Sequence, residues 1–230
     1  DNDSGRVFQM SCENTRDHDS FINLVATVTN GRIVYPDKKD GFSIFAPMDV
    51  SVDDNLFYTS SVCEYPYFKC IRARDDMVFM TISGMTPESF NKVGHAHNDL
   101  LSFCLAIGEE EFIVDPGSGE YTGNTDIRHT LRSVNNHSTV AIDKYKQRLM
   151  PDDLTQAFNW NSTAKSSLAF EQRQNEIRLK GKCSYLISLG KTIIHERTID
   201  IYKDRICIHD VVNDMREECS ISLPVMPGCK

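Results

Sequence analysis

Apolar and polar side chains alternate along a succession of short segments from residue 42 to the end of the chain, with almost no helical pattern between them. Because successive side chains of a strand point to opposite faces of a sheet, this period of two predicts strands with one buried face. The predicted strands are residues 42–45, 67–72, 77–82, 100–107, 111–114, 138–142, 166–172, 176–182, 185–189, 192–202, 205–212 and 218–225. Many short strands without interleaved helices predict a mainly β chain whose antiparallel sheets pack as a sandwich.

Short connections indicate which strands are neighbours. Residues 73–76 and 108–110 join consecutive predicted strands, so each should close a hairpin. Asn175, Gly190 and Asp204 mark three further turns. Residues 117–132 form a long segment with little strand character, and long connections in a compact β domain are commonly functional.

The N-terminal residues follow a different pattern. Phe21, Leu24, Val25 and Val28 have the spacing of one helix face, and a short amphipathic helix is therefore expected there. We expect a linker and this helix in residues 1–40, followed by the sandwich in residues 41–230. The chain begins with an aspartate rather than a methionine, so we expect it to be a piece of a longer protein.

The charge and composition exclude some classes of partner. The net charge is −8, and no basic stripe interleaved with aromatic residues is present, so nucleic-acid binding is not expected. No apolar run approaches the roughly 20 residues of a membrane-spanning helix. An acidic polysaccharide would need a local basic patch, for which the candidates are Arg128, Arg132, Lys144, Lys146 and Arg148.

The chain has eight cysteines, but their spacings match neither a zinc ribbon nor a redox motif. Cys104, Cys183 and Cys207 lie within apolar runs and are expected to be buried. Cys63 and Cys70 are close enough in sequence to form a disulfide, which the sequence alone does not decide.

Residues 94–103, with the sequence GHAHNDLLSF, place two histidines, an asparagine and an aspartate directly before an apolar segment. His95 and His97 are two residues apart, so in an extended segment both would project to the same side. An open zinc site commonly takes three protein ligands together with water. His97, Asp115 and His137 each lie in a motif flanked by turns and form a candidate N, O, N ligand set. A structural role for these histidines, and a plain β-turn at Asp115, are the alternatives.

Two further groups in residues 117–137 suit acid–base chemistry or anion binding. Tyr121 could donate or accept a proton if a neighbouring cation stabilised its anion. Arg128 and Arg132 would share one face if this segment were helical, and guanidinium groups bind carboxylates through paired hydrogen bonds. Alternatively, one arginine could tie the loop to Asp115 or Glu120. His195 and His209, within alternating segments, are interpreted as structural residues.

Together these motifs resemble the heparinase II/III family of polysaccharide lyases. In that family a Gly-His-x-His-Asn-Asp-x-Leu-Ser-Phe segment leads to an apolar-Asp-Pro-Gly strand end, and Arg-x-x-x-Arg-Ser and His-Asn/Ser-Thr-Val elements follow. The chain has all four in order, at residues 94–103, 112–117, 128–133 and 137–140. Residues 1–6 also resemble the linker that leads from the family's helical domain into its sandwich.

The resemblance implies a large antiparallel β-sandwich of the supersandwich type, with an N-terminal helical toroid preceding it and the active site between the two. The implied metal is Zn2+, ahead of Ca2+, and its implied ligands are His97, Asp115 and His137. The implied catalytic residues are His95, Tyr121 and Arg132. The chain departs from the family pattern at residues 118–120, which delay the tyrosine after Asp-Pro-Gly, and at Leu131, where an aromatic residue is common.

The implied activity is cleavage of a uronic-acid-containing polysaccharide by β-elimination. The implied partners are an acidic polysaccharide and the chain's own N-terminal helical domain, and a homodimer is compatible with the resemblance. A periplasmic or secreted location is favoured, with the cytoplasm left open. Because several catalytic groups of the family belong to the helical domain, we expect this chain alone to fold and bind zinc with little or no lyase activity.

Two other functions compete with this interpretation. One is a non-catalytic domain that binds polysaccharide, or supports capsule or exopolysaccharide assembly, and in which the zinc is purely structural. The other is a cupin-like metal site, which is disfavoured because such sites place a glutamate a few residues after His-x-His and this chain does not.

Overall fold

Five antiparallel strands in sequential order form the first sheet of the computed structural model. The structure describes residues 61–65, 70–74, 78–84, 96–108, 110–117, 119, 123–142, 145–148, 162–174, 176–187, 190–213 and 218–227. The strands of this sheet are β1 (Ser61–Tyr65), β2 (Cys70–Arg74), β3 (Val78–Ser83), β4 (Phe103–Ile107) and β5 (Glu110–Ile113).

The second sheet contains four antiparallel strands in the order β10-β9-β8-β7, and a small two-stranded sheet pairs β6 with β11. The strands of the second sheet are β7 (Lys165–Arg173), β8 (Glu176–Leu186), β9 (Thr192–Tyr202) and β10 (Ile206–Val212). The small sheet contains β6 (Val140–Ile142) and β11 (Cys219–Ile221). One helix, α1 (Thr125–Leu131), and a 3-10 turn (Val134–Asn136) connect β5 to β6.

The two larger sheets pack face to face, and an apolar cluster fills the space between them. Every second residue of β8 and β9 is buried, as the period of two predicts. The core side chains come from β2, β3 and β4 in one sheet and from β8 and β9 in the other: Ile71, Met80, Ile82, Phe103, Leu105, Ile177, Leu179, Ile199 and Ile201. Burying each such side chain contributes about 1.5–3 kcal/mol. The chain is therefore mainly β, and the predicted antiparallel sandwich is confirmed.

Most predicted strands have counterparts in these sheets. Both predicted hairpins are present, as β2–β3 and β4–β5. The prediction of separate strands at 176–182 and 185–189 was wrong, because β8 runs unbroken from Glu176 to Leu186 and pairs with β9 along its whole length. The last predicted strand, 218–225, is shortened to β11 and an isolated bridge at Val225.

Some sequence predictions fall outside the part of the chain that the structure describes. The predicted helix within residues 1–40, the predicted strand at 42–45 and the boundary at residue 41 all lie there. Within the described ranges, β1 and α1 are additions to the predicted elements. None of the helices in those ranges combines the length and the apolar character needed to cross a membrane.

Several predictions about burial are corrected by the structure. The proposed basic patch is wrong for Arg128, Arg132 and Arg148, because all three side chains are buried. Cys207 is exposed rather than buried, since it lies on the edge strand β10. Cys183 is buried as predicted, whereas Cys104 is half-buried and Cys63 is a free thiol.

Candidate metal centre

Three chain segments that follow one another around the sandwich deliver the candidate metal ligands. His97 precedes β4, Asp115 follows β5, and His137 follows the 3-10 turn and precedes β6. Because β4 and β5 form a hairpin, the start of β4 and the end of β5 lie at the same edge of the first sheet. The topology therefore brings His97 and Asp115 together, and the connection through α1 returns the chain to them at His137.

The three side chains form one cluster. One potential ligand atom from each of His97, Asp115 and His137 lies within 4.8 Å of the other two. The imidazole centroids of His97 and His137 are 5.2 Å apart. His137 Nδ1 lies 2.8 Å from Asp115 Oδ2. The grouping expected from the sequence is thus present in space.

The surroundings of the cluster favour the protonation states in which His97 and Asp115 can bind a metal. Burial lowers the pKa of His97 from 6.5 to about 3, although the nearby Asp99 carboxylate opposes the shift. His97 is therefore a neutral imidazole, the form that binds metals. For Asp115, burial by itself would raise the pKa, but hydrogen bonds with His137 Nδ1 and with the Gly117 amide lower it below its ordinary value. Asp115 is accordingly a carboxylate.

A test of whether this cluster suits a metal comes from His137 itself. Its side chain is fully buried, and Nε2 has no hydrogen-bond partner within the described ranges, while Nδ1 faces Asp115. Leaving a buried polar atom unsatisfied costs about 1–3 kcal/mol, so such an atom calls for an explanation. A metal ion could bind this nitrogen. Two imidazoles with one carboxylate form a donor set that suits Zn2+ better than Ca2+, because Ca2+ prefers sites made of oxygen ligands.

The segment that carries His97 is fixed by hydrogen bonds from distant parts of the chain. Arg132 Nη2 donates to Ala96 O at 2.6 Å, and the backbone N–H of Asn98 donates to Arg132 O at 3.0 Å. The backbone N–H of Arg148 donates to the Asn98 side-chain oxygen at 2.6 Å. Gln147 Oε1 accepts the backbone N–H of Leu100 at 2.8 Å. The His97 backbone is therefore held in place by residues well beyond its own segment.

Helix α1 explains how the two arginines of residues 117–137 are placed. The Asn124 side chain accepts from the backbone N–H groups of Asp126 and Ile127, which caps the first turn. Arg128 lies inside the helix and Arg132 at its C-terminal cap, so the two arginines are one turn apart. Both side chains are buried. The conditional expectation that a helical turn would align them is met.

The sequence-predicted catalytic residues have different outcomes. His95 and Tyr121 lie outside the described residues. Arg132 lies beneath the His97 segment, where its guanidinium contacts a backbone carbonyl. The candidate metal ligands His97, Asp115 and His137 come together as expected from the sequence.

The roles of two buried arginines around the cluster were not predicted from the sequence, and of these Arg148 was named only as a candidate for a basic patch. Arg148 and Arg197 are fully buried and bond to the backbone or side chains of the site segments. For Arg197 a signal was present, since it occupies an inward position of an alternating strand between His195 and Ile199. An arginine at a core position is rarely tolerated without a charged partner, so it should have prompted a search for one.

Comparisons with known proteins agree with the fold and the motifs. In solved structures, the heparan sulfate lyase HepC from Pedobacter heparinus and a mutant of that enzyme each match with a TM-score of 0.50 and 17% identity. Each match covers 84% of this chain but only 27% of the lyase chain, so the likeness shows the fold of one part of those enzymes. Curated protein sequences give no significant match. The family model described as heparinase II/III-like, C-terminal, matches residues 65–224. The chain therefore belongs to the heparinase II/III-like C-terminal family.

Proposed function

We propose that this chain is the sandwich domain of a polysaccharide lyase that cleaves a uronic-acid-containing polysaccharide by β-elimination, with Zn2+ bound by His97, Asp115 and His137. The observation that carries the metal assignment is the clustering of these three side chains, together with the buried, unbonded Nε2 of His137. The lyase assignment rests on membership of the family. The chain spans about a quarter of the matched lyase chains, so the activity is proposed for the longer protein.

The proposed reaction removes the C5 proton of a uronic acid, forms a C4–C5 double bond and releases the O4 glycoside, which takes up a proton. The C5 proton is only weakly acidic, so stabilisation of the negative charge on the uronate is the main requirement. When bound, Zn2+ would supply a fixed positive charge at this site. His95 or Tyr121 is proposed to accept the C5 proton, and Tyr121 to protonate the leaving oxygen.

Arg132 is proposed to support catalysis by positioning the segment that carries His95. A guanidinium can bind a carboxylate through paired hydrogen bonds, but the Arg132 side chain is buried and donates to Ala96 O, next to His95 in sequence. That contact supports a role in orienting the proposed base.

Metal analysis is the direct test of the proposed ligand set. The 230-residue chain, purified without chelator, should contain stoichiometric zinc, and His97→Ala should lose it. His209→Ala is the matched control, since His209 is an exposed histidine on β10, and this variant should keep its zinc. Metal-free wild-type protein would refute the zinc site.

Lyase activity is tested separately. Heparan sulfate and alginate are offered to the 230-residue chain and to a longer protein that includes the proposed N-terminal helical domain, and the absorbance of an unsaturated uronate is followed. We expect cleavage by the longer protein and little or none by this chain. Binding without cleavage by the longer protein would instead favour the non-catalytic polysaccharide-binding function.

A further inference from the structure

Leu101 has an unusual backbone conformation for a residue of its type. Its φ is 61°, and it is the non-glycine residue with positive φ in the described part of the chain. The side chain is fully buried. A left-handed conformation is unfavourable for a non-glycine residue, so the surrounding structure must enforce it. Leu101 ends the turn that leads from His97 into β4.

Gly181 on β8 leaves the space that the Leu101 side chain occupies. A Cβ atom added to Gly181 would lie 2.6 Å from Leu101 Cδ2, which is closer than two carbon atoms can approach. Gly181 has no positive φ to explain its identity. A side chain at this position would force the buried Leu101 side chain to shift, so the glycine permits the close approach of Leu101 to the second sheet.

Arg197 lies directly opposite Gly181 on the neighbouring strand β9. Its Nη1 donates to two backbone carbonyls, Leu101 O at 2.7 Å and Ser138 O. Leu101 belongs to the turn after His97, and Ser138 is the residue after His137. One buried nitrogen atom therefore connects the segments that carry two of the proposed metal ligands.

The guanidinium of Arg197 is itself held in a fixed orientation. Asp210, its neighbour across β9–β10, accepts from Arg197 Nε at 2.7 Å and from Nη2 at 2.9 Å. The Phe103 ring packs against the guanidinium, with its centroid 5.4 Å from Cζ. His195 Nε2 also lies 2.7 Å from Asp210 Oδ1. A bidentate ion pair with a carboxylate fixes the guanidinium plane, so Nη1 has little freedom to move.

We infer that Gly181 and Arg197 are positioning residues for the metal centre, and that together they set the separation of the His97 and His137 segments. The inference rests on the proposed function, because it assumes that these histidines bind metal. The inference explains the spacing of the two histidines by residues of the second sheet, although the histidines and the turns that carry them lie outside that sheet.

A neighbouring pair on the opposite face of the same strands provides a matched control. Arg178 on β8 bonds to Asp200 on β9 through Nε at 2.5 Å and Nη2 at 3.1 Å, so its ion pair has the same two-point geometry. Its side chain is 31% exposed and lies on the outward face of the sheet. A variant of Arg178 alters a similar ion pair without changing the space that the Leu101 side chain occupies.

The experiment compares Arg197→Lys, Gly181→Ala and Arg178→Lys with the wild-type 230-residue chain. Zinc affinity is measured by competition with a chromogenic chelator, the ligand geometry by the absorption spectrum of bound Co2+, and folding by circular dichroism of the metal-free proteins. Loss of an outer-shell contact commonly weakens metal affinity by about 10–100-fold, and we expect Arg197→Lys and Gly181→Ala to fall in that range with altered Co2+ spectra. Arg178→Lys should match the wild type in both.

A rescue variant protects the test against an unfolded Arg197→Lys protein. Combining Gly181→Ala with Leu101→Ala removes the predicted clash, so the double variant should recover most of the affinity lost by Gly181→Ala. Wild-type zinc affinity and Co2+ spectra in folded Arg197→Lys and Gly181→Ala would overturn the inference while leaving the metal site intact. If the wild-type chain bound no more zinc than His97→Ala, both the metal site and the inference would be overturned.

Discussion

Asp115 Oδ2 lies 2.8 Å from His137 Nδ1, although the two residues are 22 positions apart and belong to different motifs. The bond joins the end of β5 to the segment before β6. In metal sites a carboxylate in this position either binds the ion or fixes the tautomer and orientation of the histidine. The proposed function assigns Asp115 the first of these roles, and the two roles predict different responses to substitution.

The Asp115→Asn variant distinguishes these roles. An amide is a weaker zinc ligand than a carboxylate, so loss of a direct ligand should lower zinc affinity by more than the roughly 100-fold upper range of outer-shell changes. Chelator competition measures the change. Asp204→Asn, at a side chain that is 74% exposed, is the control and should leave the affinity unchanged. A decrease of about 10–100-fold or less would assign Asp115 to the outer shell instead.

Replacing a core residue of the second sheet should destabilise the sandwich. Ile199 is fully buried between the sheets. Ile199→Ala should lower the free energy of unfolding by about 2–5 kcal/mol, because it removes buried methyl groups and leaves a cavity. Ile208, its partner across β9–β10, is 40% exposed, and Ile208→Ala should cost much less. Urea denaturation of the metal-free chains measures both, and equal losses would contradict the assigned core.

The Asp210 carboxylate should make part of the stability depend on pH. Burial by itself would raise its pKa, but hydrogen bonds from His195 and Arg197 lower it from 3.8 to about 2. Because the folded pKa lies below the unfolded one, the stabilisation is complete above about pH 4 and is lost as the pH falls towards about pH 2. It amounts to about 2 kcal/mol at most, given the partial exposure of the group.

The measurement is the free energy of unfolding of metal-free wild type and Asp210→Asn between pH 2 and pH 6. The difference between the two proteins should shrink as the pH falls below about 4, since the wild-type carboxylate becomes protonated. A difference that stays constant over this range would show that Asp210 does not contribute through its charge.

The cap of helix α1 offers a further test. The Asn124 side chain accepts two backbone N–H bonds at the start of the helix. Asn124→Ala should lower the free energy of unfolding by about 1 kcal/mol, whereas Asn124→Asp, which keeps a capping oxygen, should be close to wild type. Thermal or urea unfolding measures both variants. Equal destabilisation by alanine and aspartate would mean that capping is not the reason for the loss.

The strands of the second sheet were largely readable from the sequence. In β8 and β9 the apolar residues fall at every second position, and this pattern follows directly from the geometry of a strand with one buried face. The prediction that one strand ends and another begins near residue 184 was wrong, because Ser184 and Lys182 are polar outward residues of one long strand. Local polarity does not show that β9 pairs with them.

The sequence by itself determined which residue types could bind a metal and that they would stand at strand ends, since His97, Asp115 and His137 lie in motifs that alternation and turns make recognisable. Only the tertiary structure decided what holds them. Arg197 bonds to Leu101 O across 96 residues and to Ser138 O across 59 residues. Such contacts depend on how the sheets stack, and periodicity along the chain carries no information about that stacking because it reports only which face of each strand is buried.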